Sequence, residues 1–323
     1  MLLSRFLKLV YNELFKTYIR KSTWVMYAIL LLLVIAGAMI FNSFADFNTE
    51  YTDNWREELQ KENERYEKEI LEFQEESYGD QIAQYNIEMI EKNNYHLEND
   101  IRPLNYGAWQ YTLENAGLVT VISLLTIIIG AGIVSNEYRW GTIKLLLIRP
   151  ITRTTILFSK FVAVFLFALF TLIFLLVSSL IVGSIVFGFE GFNPDYVKYT
   201  VDGIEQVPII VEVLTEYGYN VVNLIMMTTL AFMISTIFKN SSLAIGVGIF
   251  LLMGGNIIVG VLSRYDWVKY ILFANIDLKQ YEKGYVVVEG MTFGFSVAVL
   301  IVYFVVFVVL SWLFFNKRDV VNQ

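Results

Sequence analysis

Residues that could do chemistry are few in this chain, and most of them fall in one stretch. Ser135–Lys160, SNEYRWGTIKLLLIRPITRTTILFSK, lies between two long uncharged runs. It carries five cations (Arg139, Lys144, Arg149, Arg153 and Lys160) and one acid, Glu137. Such residues bind, orient and pair; without a nucleophile or a base they do not break bonds. The chain has no cysteine, which excludes disulfides, thiol nucleophiles and thiolate metal sites. His96 is the only histidine, so with no second imidazole it reads as a surface residue rather than a metal ligand. No Gly-x-x-x-x-Gly-Lys-(Ser/Thr) phosphate loop occurs. The chain therefore reads as a non-enzyme, with no catalytic, cofactor-binding or metal residues of its own.

The elements that would position this stretch are apolar. Of 323 residues 56% are hydrophobic, and the mean hydropathy is +0.54, above that of a soluble domain. A helix needs about 20 apolar residues to cross a hydrocarbon core about 30 Å thick. Six windows without Asp, Glu, Lys or Arg are long enough: 22–45, 115–136, 161–189, 217–238, 240–263 and 290–316. Backbone groups in lipid must be satisfied within the segment, so these are expected as helices. The predicted fold class is all-α: an integral membrane bundle of six transmembrane helices, an interfacial amphipathic helix over 1–21, and an extracytoplasmic helical hairpin over 46–114.

Charge orients the bundle. With segments numbered alternately, the side holding the N-terminus has 13 basic and three acidic residues (Glu13, Glu137 and Asp319), and the other side has 11 basic and 28 acidic. Lys and Arg near span ends mark the cytoplasm. The expectation is a multi-pass protein of the plasma membrane with both termini cytoplasmic, including the tail 317–323. The first window is too long for a signal-peptide core and shows no clear small-x-small cleavage site.

Taken in order, residues 2–20 place Leu3, Phe6, Leu7, Val10, Leu14 and Tyr18 on one helical face and Arg5, Lys8, Asn12, Lys16 and Arg20 on the other. Such a helix lies in the membrane interface with its cations near anionic lipid, so the bilayer is a partner and nucleic acid is not. In the 46–114 loop, with 18 acids and 6 bases, Trp55, Leu59, Tyr66, Ile70 and Phe73 share one face. Ile82, Tyr85, Met89, Ile90 and Leu97 share another, and the two faces are expected to pack together across Ser77–Asp80. The acids read as a solvated face, or as a docking surface for a cation or cationic peptide. Trp109 and Tyr111 suit a lipid interface. Residues 190–216 read as a loop with one short helix, and 264–289 as an outer segment rich in aromatics. Glycines in the second and fifth windows, Gly246, Gly248, Gly254, Gly255 and Gly260 among them, suit close helix packing. No window holds a charge in its interior, unlike ion-coupled transporters; any pumping would draw its energy from elsewhere.

Glu137, Tyr138, Arg139, Gly141, Thr142, Lys144, Arg149, Pro150, Thr152 and Arg153 resemble, position by position, the cytoplasmic loop of bacterial ABC exporter permeases of the two-type family. The spans resemble that family only in number and order. The resemblance implies a permease subunit that forms a substrate pathway with a second permease chain, the same or homologous, lined by the second and fifth spans. It implies two copies of a cytoplasmic ABC ATPase, which would bind ATP and Mg in place of this chain. The loop 137–160 would couple to that ATPase through Glu137, Tyr138, Arg139, Trp140, Gly141, Thr142, Ile143, Lys144, Leu147, Arg149 and Arg153, with Glu137 at the start of a coupling helix. The interfacial helix would touch the ATPase too, with Leu3, Phe6, Leu7, Val10, Lys16 and Arg20 at the membrane. The bland alternative for the loop is that its cations only enforce topology. Export of an amphipathic or hydrophobic molecule, such as an antimicrobial peptide, drug or lipid, is the expected activity. The alternative class is a non-transporting sensor or assembly subunit with the outer hairpin as receptor module.

Overall fold

A computed structural model describes residues 2–43, 51–74, 76, 79–143, 151–284 and 286–317. Six helices are long and apolar enough to cross a membrane: Lys21–Ser43, Ala108–Arg139, Arg153–Val186, Ile209–Phe238, Ser241–Leu262 and Phe293–Lys317. In chain order the elements are α1 (Leu2–Tyr18), α2 (Lys21–Ser43), α3 (Trp55–Glu72), α4 (Gly79–Glu98), α5 (Ala108–Glu114), α6 (Val119–Arg139) and α7 (Arg153–Val186). Strands β1 (Asp195–Thr200) and β2 (Gly203–Pro208) follow, then α8 (Ile209–Phe238), α9 (Ser241–Leu262), α10 (Leu272–Asn275), α11 (Gln280–Lys283) and α12 (Phe293–Lys317). A 3₁₀ turn over Asn115–Leu118 joins α5 to α6 as one candidate span.

The long helices alternate in direction. Residues 2–20, Tyr138, Lys239 and Asn316 gather at one end, where Tyr138 lies under the Lys239 ammonium and Arg153 bonds the Asn316 carbonyl. We call this the motif end. The helical and β-hairpins sit at the other, the hairpin end. The core lies along α5–α6 and α8, whose apolar windows are 61% buried, against 17% for α2, α9 and α12. The two central helices meet through small residues: Ser235 Oγ donates to the Ala131 carbonyl at 2.5 Å and accepts from the Ser135 amide at 3.3 Å. Short side chains let backbones approach where lipid supplies no hydrophobic drive.

Several expectations change. The span helices run past the uncharged windows: α6 includes Glu137, α7 includes Lys160 and α8 includes Glu212. The segment 190–216 is not a loop with a short helix: 195–208 form an antiparallel β-hairpin, Tyr196 opposite Val207 and Thr200 opposite Gly203, and 209–216 are the opening turns of α8. Its Tyr-Val-Lys-Tyr-Thr-Val run has β-branched and aromatic residues that suit a pleated surface. The fold is thus mostly helical with a small sheet. Trp109 and Tyr111 do not face lipid; both are buried, Trp109 Nε1 donating to the Gly191 carbonyl at 2.8 Å and the Tyr111 hydroxyl to that of Val34. His96 is half-buried, with a ring nitrogen 2.9 Å from the Ile101 carbonyl, and burial holds its imidazole below the usual value.

Helices α3 and α4 pair antiparallel, with Arg56 on Asp100 and Asn63 on Asn94. Trp55, Leu59 and Tyr66 of α3 are buried there. On α4 four residues of the expected apolar face, Ile82, Met89, Ile90 and Leu97, are half-buried and Tyr85 is exposed, while the fully buried side chains are the polar Asn86 and Asn93. Asn93 Nδ2 donates to Asn63 Oδ1 at 2.9 Å, and Asn86 Nδ2 to Glu69 at 3.2 Å. Paired amides satisfy one another, so a polar helix can close the seam.

Candidate functional site

The Glu-Tyr-Arg motif ends α6. Gly141 takes φ +69°, a left-handed conformation open to glycine at little strain, and its amide bonds the Tyr138 carbonyl at 3.1 Å. The turn brings Thr142 back onto the helix, where its hydroxyl donates to Glu137 Oε2. Ile143 is buried beside Val134, Ile156 and Phe315. Glu137 therefore sits in the last turn of α6, not at the start of a coupling helix. An acid at a helix C-terminus faces the negative end of the dipole and needs cations nearby.

Two lysines supply them. Lys160 Nζ lies 3.1 Å from Glu137 Oε1 and 2.8 Å from Glu13 Oε2. Lys16 Nζ lies 3.2 Å from the same Glu137 oxygen and 3.0 Å from Glu13 Oε1. The four groups form a closed ring of alternating charge with no net charge, drawn from α1, α6 and α7. The Lys160 side chain is 1% exposed. Charges taken from water this far must be compensated in place. Burial alone would lower the Lys16 pKa, but Glu13 and Glu137 outweigh it and hold the ammonium above its ordinary value.

Beside the ring lies a cavity of about 430 Å³ between α1 and α6, lined by Lys16, Arg20, Gly132, Asn136 and Trp140. Trp140 is 55% exposed, with the Arg20 guanidinium 5.6 Å above its ring. Arg139 is exposed. Thr152 caps α7, accepting from the Thr155 amide at 3.2 Å, and Arg153 anchors on the Asn316 carbonyl at 3.1 Å. Lys144, Leu147 and Arg149 lie outside the described residues. On α1, Val10 faces the protein and Phe6 is half-buried, while Leu3, Leu7, Tyr11 and Phe15 form an exposed apolar stripe that Ile19 continues in the following turn.

Glu13 and Lys160 belong to this site; the sequence marked both as charges of this side but assigned neither to a site. The available signal was the scarcity of acid on that side: two of its three acids meet in the ring. Among the described residues no group of histidine, cysteine and carboxylates could hold a metal ion. The ring can hold three elements in fixed relation, and the exposed Trp140–Arg20 rim can contact a partner.

Two proteins of Bacillus subtilis (strain 168) are similar to this chain. "Uncharacterized protein YhcI" is 41% identical over 321 residues, covering 98% of this chain and 100% of its own. "Uncharacterized membrane protein YdbK" is 32% identical over 213 residues, 65% of this chain and 82% of its own. A family match described as "Protein of unknown function (DUF2705)" spans residues 81–321, from α4 to the far end of α12. With six long apolar helices built around that span, the chain is a membrane protein and belongs to this family.

Proposed function

We propose that this chain is the permease subunit of an ATP-driven exporter, coupled at its motif end to a separate ATPase. The carrying observation is the Glu13–Lys160–Glu137–Lys16 ring. It ties the amphipathic helix, the motif and the base of α7 into one unit. A push delivered to the motif loop is then transmitted to two long helices rather than absorbed by a soft turn. The ABC-permease resemblance of residues 137–153 supplies the partner class; ATP and Mg belong to that partner.

Both termini are cytoplasmic in this reading, and the helical hairpin stands outside the membrane. Two permease chains would meet through α9. Its exposed face carries Leu243, Gly246, Phe250, Met253, Ile257 and Gly260, spaced alternately by three and four residues. That spacing is the seam of a helix pair.

The test is co-expression with a candidate ABC ATPase subunit from the same organism. Trp140→Ala leaves the ring intact and removes an exposed side chain. The expected outcome is normal insertion and a normal melting temperature, with ATPase co-purification weakened or stimulation of hydrolysis lost. Wild-type binding and stimulation in that variant would rule out this rim as the contact.

A further inference from the structure

At the hairpin end a cavity of about 750 Å³ opens between α4, the β-hairpin, α8 and the 264–289 segment, with Lys92 in its lining. Its Lys198 and Lys279 are already held by Glu282, Glu212 and Glu216. The cavity of about 430 Å³ beside the ring, between α1 and α6, differs in having an unpaired cation.

Its α6 wall is graded. Ile129, Gly132, Ile133, Asn136 and Trp140 line it and recur at three or four residues, so they share one helix face. From Ile129 to Trp140 that face runs about 16 Å along the axis. The apolar part lies toward the middle of the candidate span that closes at Arg139, and the polar part lies at the mouth. Helix α2 sets the level of the mouth. It begins at Lys21, directly after Arg20, so Arg20 stands where hydrocarbon gives way to water. That holds whichever side of the membrane this end faces.

The ring uses up its own charges, since Lys16 and Lys160 are each shared by Glu13 and Glu137. Arg20 is left over. It is half-buried, its guanidinium lies over the Trp140 ring, and among the described residues no carboxylate pairs with it. Asn136 is half-buried too, and among the described residues its side-chain amide has no hydrogen-bond partner. It stands one helical turn from Trp140, so the guanidinium and the amide can face one tetrahedral anion. The arginine fork matches phosphate geometry and is weakly hydrated, so it gives up little water on binding.

We propose that this crevice binds one membrane phospholipid, its phosphate on Arg20 and Asn136 and the start of one acyl chain along Ile133 and Ile129. A cationic amphiphile would meet Arg20 as a like charge, and a phosphate without chains would leave the apolar part of the wall uncovered. The proposal concerns lipid binding alone and does not depend on an ATPase partner.

The experiment uses the full chain in a non-ionic detergent without ATPase. Phosphatidylglycerol is titrated in, and retained lipid is counted by native mass spectrometry. A glucosyl diacylglycerol with the same chains serves as the comparison without phosphate, and inorganic phosphate serves as competitor. One saturable phosphatidylglycerol is expected, not displaced by an equal concentration of inorganic phosphate. Arg20→Gln should weaken it about tenfold or more, the scale of a lost charge-assisted hydrogen bond. Because Arg20 also touches Trp140, Gly132→Ala serves as a second variant. Its Cβ would stand 2.8 Å from Asn136 Nδ2 and push that amide aside with no change of charge. The expected weakening is about two- to tenfold, the scale of a neutral hydrogen bond. Lys8→Gln, exposed on α1, removes a cation elsewhere on that helix and should change nothing. No saturable phosphatidylglycerol, equal binding of the glucolipid, displacement by inorganic phosphate, unchanged affinity in both crevice variants, or equal weakening by Lys8→Gln would each overturn the proposal.

Discussion

At the motif end two carboxylates and two ammoniums close on one another with nothing left over, and the central lysine is 1% exposed. At the hairpin end six carboxylates face four lysines around about 750 Å³ of open space. Both regions put charge into an otherwise apolar molecule, but the balance differs. A neutral, closed ring has no unused capacity for a ligand; it can only hold helices together. An unbalanced, open wall retains capacity for one. Buried charge by itself is therefore a poor marker of ligand binding here, and the pairing of that charge decides the role.

The comparison breaks most directly at Lys160. Lys160→Met leaves Glu13 and Glu137 buried against each other with Lys16 alone, and breaking a buried pair costs about 3–5 kcal/mol. The expected result is loss of folded protein in detergent, read by thermal unfolding and monodispersity. Adding Glu13→Gln to that variant should recover much of the loss, since fewer unpaired charges remain. A single variant as stable as wild type would show the ring to be dispensable.

The close packing of α9 against the 264–289 segment is tested at Gly255. A Cβ there would lie 2.2 Å from the Phe273 ring, whereas at Gly260 it would meet nothing within 4 Å. Gly255→Ala should destabilise by about 1–3 kcal/mol through overpacking, with Gly260→Ala close to neutral. Equal melting temperatures would mean that Phe273 moves aside readily.

At the motif rim the expected effect is smaller. The Arg20–Trp140 contact is exposed, so Trp140→Ala should cost under about 1 kcal/mol of stability. A larger loss would place Trp140 in the core rather than on a contact surface.

The last test changes no stability. Burial holds the Lys92 amine below the ordinary lysine value, with Lys283 adding to the effect against Glu88 and Glu212. The neutral, reactive form then appears at lower pH than in a free lysine. Acylation of Lys92, followed by peptide mass spectrometry, should reach its half-maximal rate at lower pH than an N-acetyl-lysine standard in the same tube. An identical profile would show that the hairpin-end cavity is as wet as bulk solvent.

Much of this arrangement was legible in the residues. Uncharged runs of 22 residues or more leave a helix as the only satisfied backbone in lipid, and all six appear as helices. The α3 face of the helical hairpin was legible because Trp55, Leu59 and Tyr66 recur at helical spacing. Its α4 face was legible only in part. Asn86 and Asn93 count as polar in any periodicity, and they become seam residues only when Glu69 and Asn63 stand opposite. The β-hairpin was missed because its strands are only six residues long, too short for alternation to outweigh the surrounding Gly and Pro.

Composition and local pattern determined the number of apolar helices and the grouping of their connecting segments, because each depends on neighbours along the chain; the turn at Gly141 did not emerge from them, since the helical spacing of Trp140, Ile143 and Leu147 reads straight through it. Tertiary structure alone decided which charges are partners. Glu13 and Lys160 are 147 positions apart and Lys16 and Glu137 are 121. Ion pairing depends on distance in space, and nothing in the order of residues records that α1 lies across the base of α6 and α7. The same reason hid the hairpin-end cavity, whose lining is assembled from five separate parts of the chain.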